Sequence, residues 1–176
     1  MQNKSSTRIA LGGMSAALCL VIMMTTALMP FATYALPSLA GIFLIPIALE
    51  LGCNTAWVTY IAVAILSLLI VPDREAALMF ISFFGYYPIL KIYIDRLKNG
   101  LLRGILKLLV FNTAMTLAYA IIIYVFGLYY LLEEFAGGWG IALLVIGNIF
   151  FPIYEIAVAS MYKFYIYRIR KTIFRQ

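Results

Sequence analysis

The feature that most constrains this chain is a series of long apolar stretches separated by short polar turns. A helix needs about 20 mostly apolar residues to cross the hydrocarbon core of a bilayer. Such stretches are predicted at residues 9–28, 36–51, 55–71, 76–94, 105–126 and 139–162, the second and third being the shortest. They predict repeated crossings of a membrane.

The composition leads to the same class of protein. Of 176 residues, 65% are hydrophobic and 11% are charged, which is more apolar material than one soluble core of this size can bury. The apolar stretches lack the alternation of barrel strands, and backbone groups in lipid must otherwise be satisfied within helices. The sequence therefore predicts an all-α integral membrane protein, a six-helix transmembrane bundle that forms a single domain over residues 1–176.

The basic residues predict the orientation of this bundle. With six crossings, every Lys and Arg except Arg74 falls on one side. Those residues are Lys4, Arg8, Lys91, Arg96, Lys98, Arg103, Lys107, Lys163, Arg168, Arg170, Lys171 and Arg175. The positive-inside rule makes that side the cytoplasm and places both termini there. The expected location is the plasma membrane of a bacterium, as a multi-pass protein.

The acidic residues Asp73, Glu75, Glu133 and Glu134 fall on the opposite, outer side with Arg74. The net charge of +6 is then explained by topology and by contact with lipid headgroups, and nucleic acid is not expected as a partner.

Residues able to support catalysis are scarce. The chain has no His, which excludes His-based triads, zinc sites with imidazole ligands and haem ligation by His. Cys19 lies in the first span and Cys53 at the cytoplasmic end of the second, and Glu155 is the one carboxylate well inside a span, with Glu50 near the end of another. We therefore expect no enzymatic activity, no metal site and no cofactor.

Small residues recur at helical spacing in the first span. Gly12 lies one turn before Ala16, and Gly13 one turn before Ala17. Small side chains at this spacing let another helix approach closely, which matters because lipid gives helices no hydrophobic reason to associate. The four residues are candidates either for packing inside the bundle or for docking a separate membrane protein.

The first span, Arg-Ile-Ala-Leu-Gly-Gly-Met-Ser-Ala-Ala-Leu over residues 8–18, follows a short basic lead. With six spans in a small chain, it resembles the S component of an energy-coupling factor (ECF) transporter. This resemblance implies capture of a vitamin or similar micronutrient from outside, and docking of the first helix, through an Ala-x-x-x-Ala-like motif, on a transmembrane scaffold subunit driven by two ATPase subunits. Here Gly stands where the family often has the first Ala. No signature of one particular solute is present.

Two other classes of function remain open. One is a non-transport membrane scaffold of MreD-like type, which would also be small and multispan. The other is an autonomous small-solute carrier or channel, although no inverted repeat is visible in the sequence.

The outer connections supply candidates for solute binding. Asp73 follows Pro72 and can cap the next helix, whereas the guanidinium of Arg74 can fork onto an anionic solute or pair with Glu133 or Glu134. Aromatic residues there serve either as an interface belt or as the roof of a cavity. The candidate substrate-binding residues are Tyr34, Ser38, Arg74, Tyr86, Tyr130 and Asn148.

Polar residues inside the spans form a second candidate group. Pro88 cannot donate to the carbonyl of Phe84, so a kink is predicted beside Tyr86. Glu155 shares a helix face with Asn148, and its candidate partners are Asn112 and Lys91. The cluster Lys91, Asn112 and Glu155 is predicted to act as a structural polar lock or as part of a conformational network, since an unpaired charge there is costly.

Reporter fusions test the topology. Fusions after Gln176 and within residues 95–104 should report the cytoplasm, whereas fusions at Asp73 and Glu134 should report the outside, because the basic residues are retained inside. An external C-terminus would show that one of the six stretches does not cross.

Overall fold

A computed structural model describes residues 4–29, 32–125 and 139–169, and every regular element among them is helical. The helices are α1 (Lys4–Met24), α2 (Ala35–Ile42), α3 (Leu44–Glu50), α4 (Cys53–Ile70), α5 (Arg74–Met79), α6 (Tyr87–Ile94), α7 (Gly100–Tyr124) and α8 (Trp139–Phe164). A 3₁₀ turn, Thr25–Ala27, extends α1, and π-helical turns follow α5 (Phe80–Phe84) and α8 (Tyr165–Ile169). The all-helical prediction is confirmed for these residues.

Five helical segments among the described residues have the length and apolar composition of membrane spans. They are Ile9–Ala27, Cys53–Ile70, Arg74–Ile94, Gly100–Tyr124 and Leu144–Arg168. The first three agree with predicted spans to within two residues at both ends. Gly100–Tyr124 begins five residues before the predicted start at 105, and Leu144–Arg168 begins five and ends six residues later than the predicted 139–162. The chain is thus a helical protein with the spans expected of a multi-pass membrane protein.

The second predicted span differs from the other five. Its apolar helix, Ala35–Glu50, is shorter and is broken at Phe43, whose amide donates to the carbonyl of Ala40 at 3.1 Å. Pro46 has no amide to donate to Ile42, which explains the break. Even a continuous helix of about 16 residues reaches only about 24 Å, against about 30 Å of hydrocarbon. A sixth crossing therefore depends on this segment, and so does the side on which the C-terminus lies.

The chain divides into two compact units, Met1–Arg103 and Gly104–Gln176. In the first unit, α1 packs against α2 and α4, and α3 packs against α4. Side chains that are essentially inaccessible fill the space between these helices. They include Cys19, Met23, Ala40, Leu44, Ala56, Val63, Phe80 and Ile89.

A π-helical turn, Phe80–Phe84, separates α5 from α6 just before Pro88, where the sequence predicts a kink. The amide of Gly85 donates at 2.8 Å to the carbonyl of Phe80, five residues earlier, which is the hydrogen-bond spacing of a π-helix. From α4, the hydroxyl of Tyr60 donates to the carbonyl of Ile81 at 2.6 Å. A side chain of a neighbouring helix thus satisfies a carbonyl within the irregular turn.

Gly41 permits the closest backbone approach in this unit. A Cβ added to Gly41 would overlap the carbonyl oxygen of Phe84, the group to which Pro88 cannot donate. The lack of a side chain therefore lets α2 lie directly against the π-helical turn. A neighbouring backbone atom, unlike the tip of a flexible side chain, cannot move aside cheaply.

Substitution of Gly41 tests this contact. We expect Gly41→Ala to lower the free energy of unfolding by about 1–3 kcal/mol, because overpacking displaces backbone. Gly13→Ala is the matched control within a helix, since an added Cβ there meets nothing within 4 Å, and it should leave stability unchanged or raise it by about 1 kcal/mol at most. Unfolding in mixed detergent micelles measures both. Equal stability of the two variants would contradict the close approach.

Candidate functional site

Two connections of the first unit are joined by side-chain hydrogen bonds. The hydroxyl of Thr33 donates to Oδ2 of Asp73 at 3.1 Å, and the hydroxyl of Tyr34 donates to Oε1 of Glu75 at 2.6 Å. Consecutive residues before α2 therefore bind carboxylates at the start of α5. We call Thr33, Tyr34, Asp73, Arg74 and Glu75 the outer cluster, after the side of the membrane predicted for it.

Asp73 has the capping role that the sequence predicts. Its Oδ1 accepts a hydrogen bond from the amide of Ala76 at 3.1 Å, while its backbone is extended, as is usual for the residue that precedes a helix. Glu75 lies in the first turn of α5, where the helix dipole favours negative charge. The N-terminus of α5 thus stabilises the two carboxylates, and both also accept hydrogen bonds from hydroxyl groups of the α1–α2 connection.

Arg74 has a use that sequence analysis missed. Its guanidinium donates through Nη1 to the carbonyl of Leu68, in the last turn of α4. The last carbonyls of a helix have no partner within it, so this bond caps α4 from the start of α5. The predicted alternative partners, Glu133 and Glu134, lie outside the described residues. One donor of the five on the guanidinium makes the bond to Leu68.

The other predicted solute-binding residues have different settings. Ser38 follows Tyr34 by one turn: its amide donates to the carbonyl of Tyr34 at 3.3 Å, and its hydroxyl donates to the carbonyl of Ala35 at 2.7 Å. Asn148 belongs to the second unit, and Tyr130 lies outside the described residues. Tyr86 packs among aromatic rings of α4 and the π-helical turn. The structure therefore brings together three of the predicted residues, Tyr34, Ser38 and Arg74, since the hydroxyl of Tyr34 binds Glu75, the residue after Arg74.

The rings around Tyr86 form what we call the aromatic cluster: Trp57, Tyr60, Phe80, Phe83 and Tyr86. The ring of Tyr86 is nearly parallel to Trp57, with centroids 6.3 Å apart and planes at 14°. Tyr60 presents an edge to both of these rings, at 5.7 Å from Trp57 and 6.0 Å from Tyr86. Trp57 and Tyr60 were not predicted as site residues. Their spacing of one helical turn on α4 is the signal that could have grouped them.

The small residues of α1 separate into an inward and an outward pair. A Cβ added to Gly12 would lie 3.2 Å from Oγ1 of Thr59 on α4, and Ala16 packs against the core of the first unit. Gly13 and Ala17 are instead exposed. The inward pair has the internal packing role, and the outward pair is left on the surface of this unit.

In the second unit, α7 and α8 face each other through a polar seam. Nζ of Lys107 lies 2.5 Å from Oε1 of Glu155, with side-chain exposures of 9% and 20%. Asn112 and Asn148 exchange amide hydrogen bonds of 2.9 and 2.8 Å. The later residue of α7, Asn112, pairs with the earlier residue of α8, Asn148. This is the order expected of two antiparallel helices.

Glu155 has a partner that the sequence analysis did not name. The ammonium of Lys107 pairs with its carboxylate, and the amide of Asn112, a candidate partner of Glu155, pairs with that of Asn148. The ammonium of Lys91, the other candidate, lies 3.1 Å from Oδ2 of Asp95. A carboxylate in a span is stabilised by a cation that the facing helix presents at the same level.

No group of three or more His, Cys, Asp or Glu side chains that could hold a metal ion occurs within residues 4–29, 32–125 and 139–169. The chemistry available in the outer cluster is hydrogen bonding by hydroxyl, carboxylate and guanidinium groups. The aromatic cluster adds flat apolar surface. Groups of these two kinds can bind a molecule through hydrogen bonds and through apolar contact.

A double-mutant cycle tests the Lys107–Glu155 ion pair. Lys107→Met alone should lower the free energy of unfolding by about 1–3 kcal/mol, because it leaves a partly buried carboxylate without this cation. Lys107→Met combined with Glu155→Gln should recover most of that loss, since no charge is then left without a partner. Unfolding in detergent measures both variants. Additive losses would show that the two side chains do not stabilise each other.

Comparison with known proteins found no match to this chain among protein-family models, curated proteins or solved structures.

Proposed function

We propose that this chain is the solute-capturing membrane subunit of an ECF-type importer for a vitamin or similar micronutrient. Separate scaffold and ATPase subunits would supply the energy, and the chain itself would catalyse no reaction. The observation that carries the proposal is the exposed pair Gly13 and Ala17 on α1, at the positions where the resemblance places the docking motif.

The surroundings of this pair support docking over simple contact with lipid. Large apolar side chains cover the rest of the exposed face of α1, including Ile9 at 73% exposure and Met14 at 63%. Large side chains fill the space beside lipid tails, whereas a pair of small residues one turn apart leaves a shallow depression along the helix. A second helix gains van der Waals contact by entering such a depression, and that contact drives association in a bilayer.

The outer cluster is the proposed capture site. Arg74 is exposed, and a guanidinium can bind a carboxylate or phosphate of a solute with two parallel hydrogen bonds. Tyr34, 43% exposed, adds an aromatic face beside it in the connection before α2. A solute that combines an acidic group with a flat apolar part matches this chemistry.

The exposed small pair also fits a non-transport scaffold of MreD-like type, because such a protein would recruit partners within the membrane by the same packing. The two proposals differ in the solute. An importer subunit carries a small molecule that can be released and identified by mass spectrometry after gentle purification, whereas a scaffold carries none.

Bulky substitutions in the exposed pair test the docking role. Gly13→Leu and Ala17→Leu should each reduce the amount of co-purified membrane partner at least about tenfold, which corresponds to about 1.4 kcal/mol of binding energy. Met14→Leu is the matched control on the same exposed face and should retain the partner. Quantitative mass spectrometry of affinity-purified samples gives the amounts of partner and of bound solute.

Retention of the partner by both leucine variants would overturn docking through α1. Loss of the partner with solute still bound supports the importer subunit. Loss of the partner in samples that carry no solute, the wild type included, favours the scaffold.

A further inference from the structure

We infer that the turn between α6 and α7 binds the headgroup of an anionic membrane lipid. The turn comprises residues 95–99 and directly follows the apolar segment Arg74–Ile94. It presents Arg96 and Lys98, two exposed cations, at the level where that segment ends. The inference does not depend on the proposed transport function, because any membrane-embedded form of the chain meets lipid at this turn.

The carboxylate of the turn is already engaged. Lys91, itself only 5% exposed, holds Oδ2 of Asp95 at 3.1 Å. Nε of Arg103 lies 3.9 Å from the other oxygen of Asp95. Within the described parts of the chain, no carboxylate lies within ion-pair distance of Arg96 or Lys98. These two charges therefore require a counter-charge from outside the described residues, or water.

Arg96 lies beside an aromatic ring. Its guanidinium carbon is 5.5 Å from the centroid of the Tyr93 ring, within the range of a cation–π contact. A guanidinium can fork onto phosphate oxygens with two parallel N–H groups, and no carboxylate of the described residues pairs with that of Arg96. Tyr93 is 41% exposed, as is usual for aromatic residues at the membrane interface.

The start of α7 supplies the apolar half of the surface. Oδ1 of Asn99 accepts hydrogen bonds from the amides of Leu101 and Leu102, which caps the helix. The side chains of these leucines are 75% and 46% exposed. Cations and exposed leucines thus lie within a few residues of each other. This combination matches a lipid, whose phosphate and acyl chains are covalently joined, better than it matches a free phosphate.

The expected strength follows from surface electrostatics. Each Lys or Arg near an anionic membrane surface contributes about 1 kcal/mol, so removing both cations should weaken binding about 30-fold. The cation–π contact of Arg96 with Tyr93 should make the site local, so that removing the same charge elsewhere on the basic side has a smaller effect on lipid binding.

The test uses the full chain reconstituted in nanodiscs with equal amounts of phosphatidylglycerol and phosphatidylcholine, followed by native mass spectrometry of the lipids that remain bound. The wild type should retain phosphatidylglycerol preferentially. Arg96→Gln with Lys98→Gln should reduce that preference about 30-fold. Lys4→Gln with Arg8→Gln removes the same charge from the N-terminal end and should largely keep the preference.

A second variant keeps the experiment decisive if the double glutamine variant fails to fold. Arg96→Lys with Lys98→Arg preserves the charge but removes the guanidinium beside the Tyr93 ring, and it should weaken retention of phosphatidylglycerol. An unchanged preference in the folded variants, or an equal loss in the N-terminal control, would overturn the site in favour of a general charge effect. Displacement of the lipid by soluble glycerol phosphate would identify a free phosphate ester as the ligand and would also overturn it.

Discussion

Every backbone group that enters hydrocarbon must find its hydrogen bond inside the protein, and the fold of this chain depends on that requirement. Long helices satisfy it over most of the sequence. Proline creates the exceptions, at the break at Phe43 and at the π-helical turn before α6. In the second case Tyr60 supplies a hydroxyl and Gly41 lets a neighbouring backbone lie close. The irregular turn is thus buried among other helices of its unit.

Features that depend on the order of residues along one helix were predictable. Apolar length predicted the positions of the long helices, Pro88 predicted an irregularity where the π-helical turn lies, and the position of Asp73 after Pro72 predicted the cap of α5. The break at Phe43 was missed although its cause, Pro46, is visible in the sequence. The apolar composition of residues 36–51 predicts a continuous span, whereas the missing amide of Pro46 interrupts the helix.

Features that depend on how two helices face each other were not predictable. Gly12 and Gly13 are adjacent in sequence, but adjacent helical residues point about 100° apart, so one pair of small residues faces α4 and the other is exposed. Sequence periodicity predicts that each pair shares a helix face. It does not predict how α1 is rotated about its axis, which decides the pair that faces α4. The pairing of Glu155 with Lys107 was not predictable for a similar reason, because it depends on which residues of α7 and α8 lie at the same level.

The ion pair between Lys107 and Glu155 also bears on how the chain enters the bilayer during synthesis. A charged residue inside a helix opposes release from the translocon into lipid, by up to about 2.5–3.5 kcal/mol at the helix centre. Lys107 lies about two turns into α7 and Glu155 more than two turns before the end of α8, and each charge pairs with the other. Partition of the two helices as a hairpin therefore exposes less unpaired charge to lipid than sequential release does.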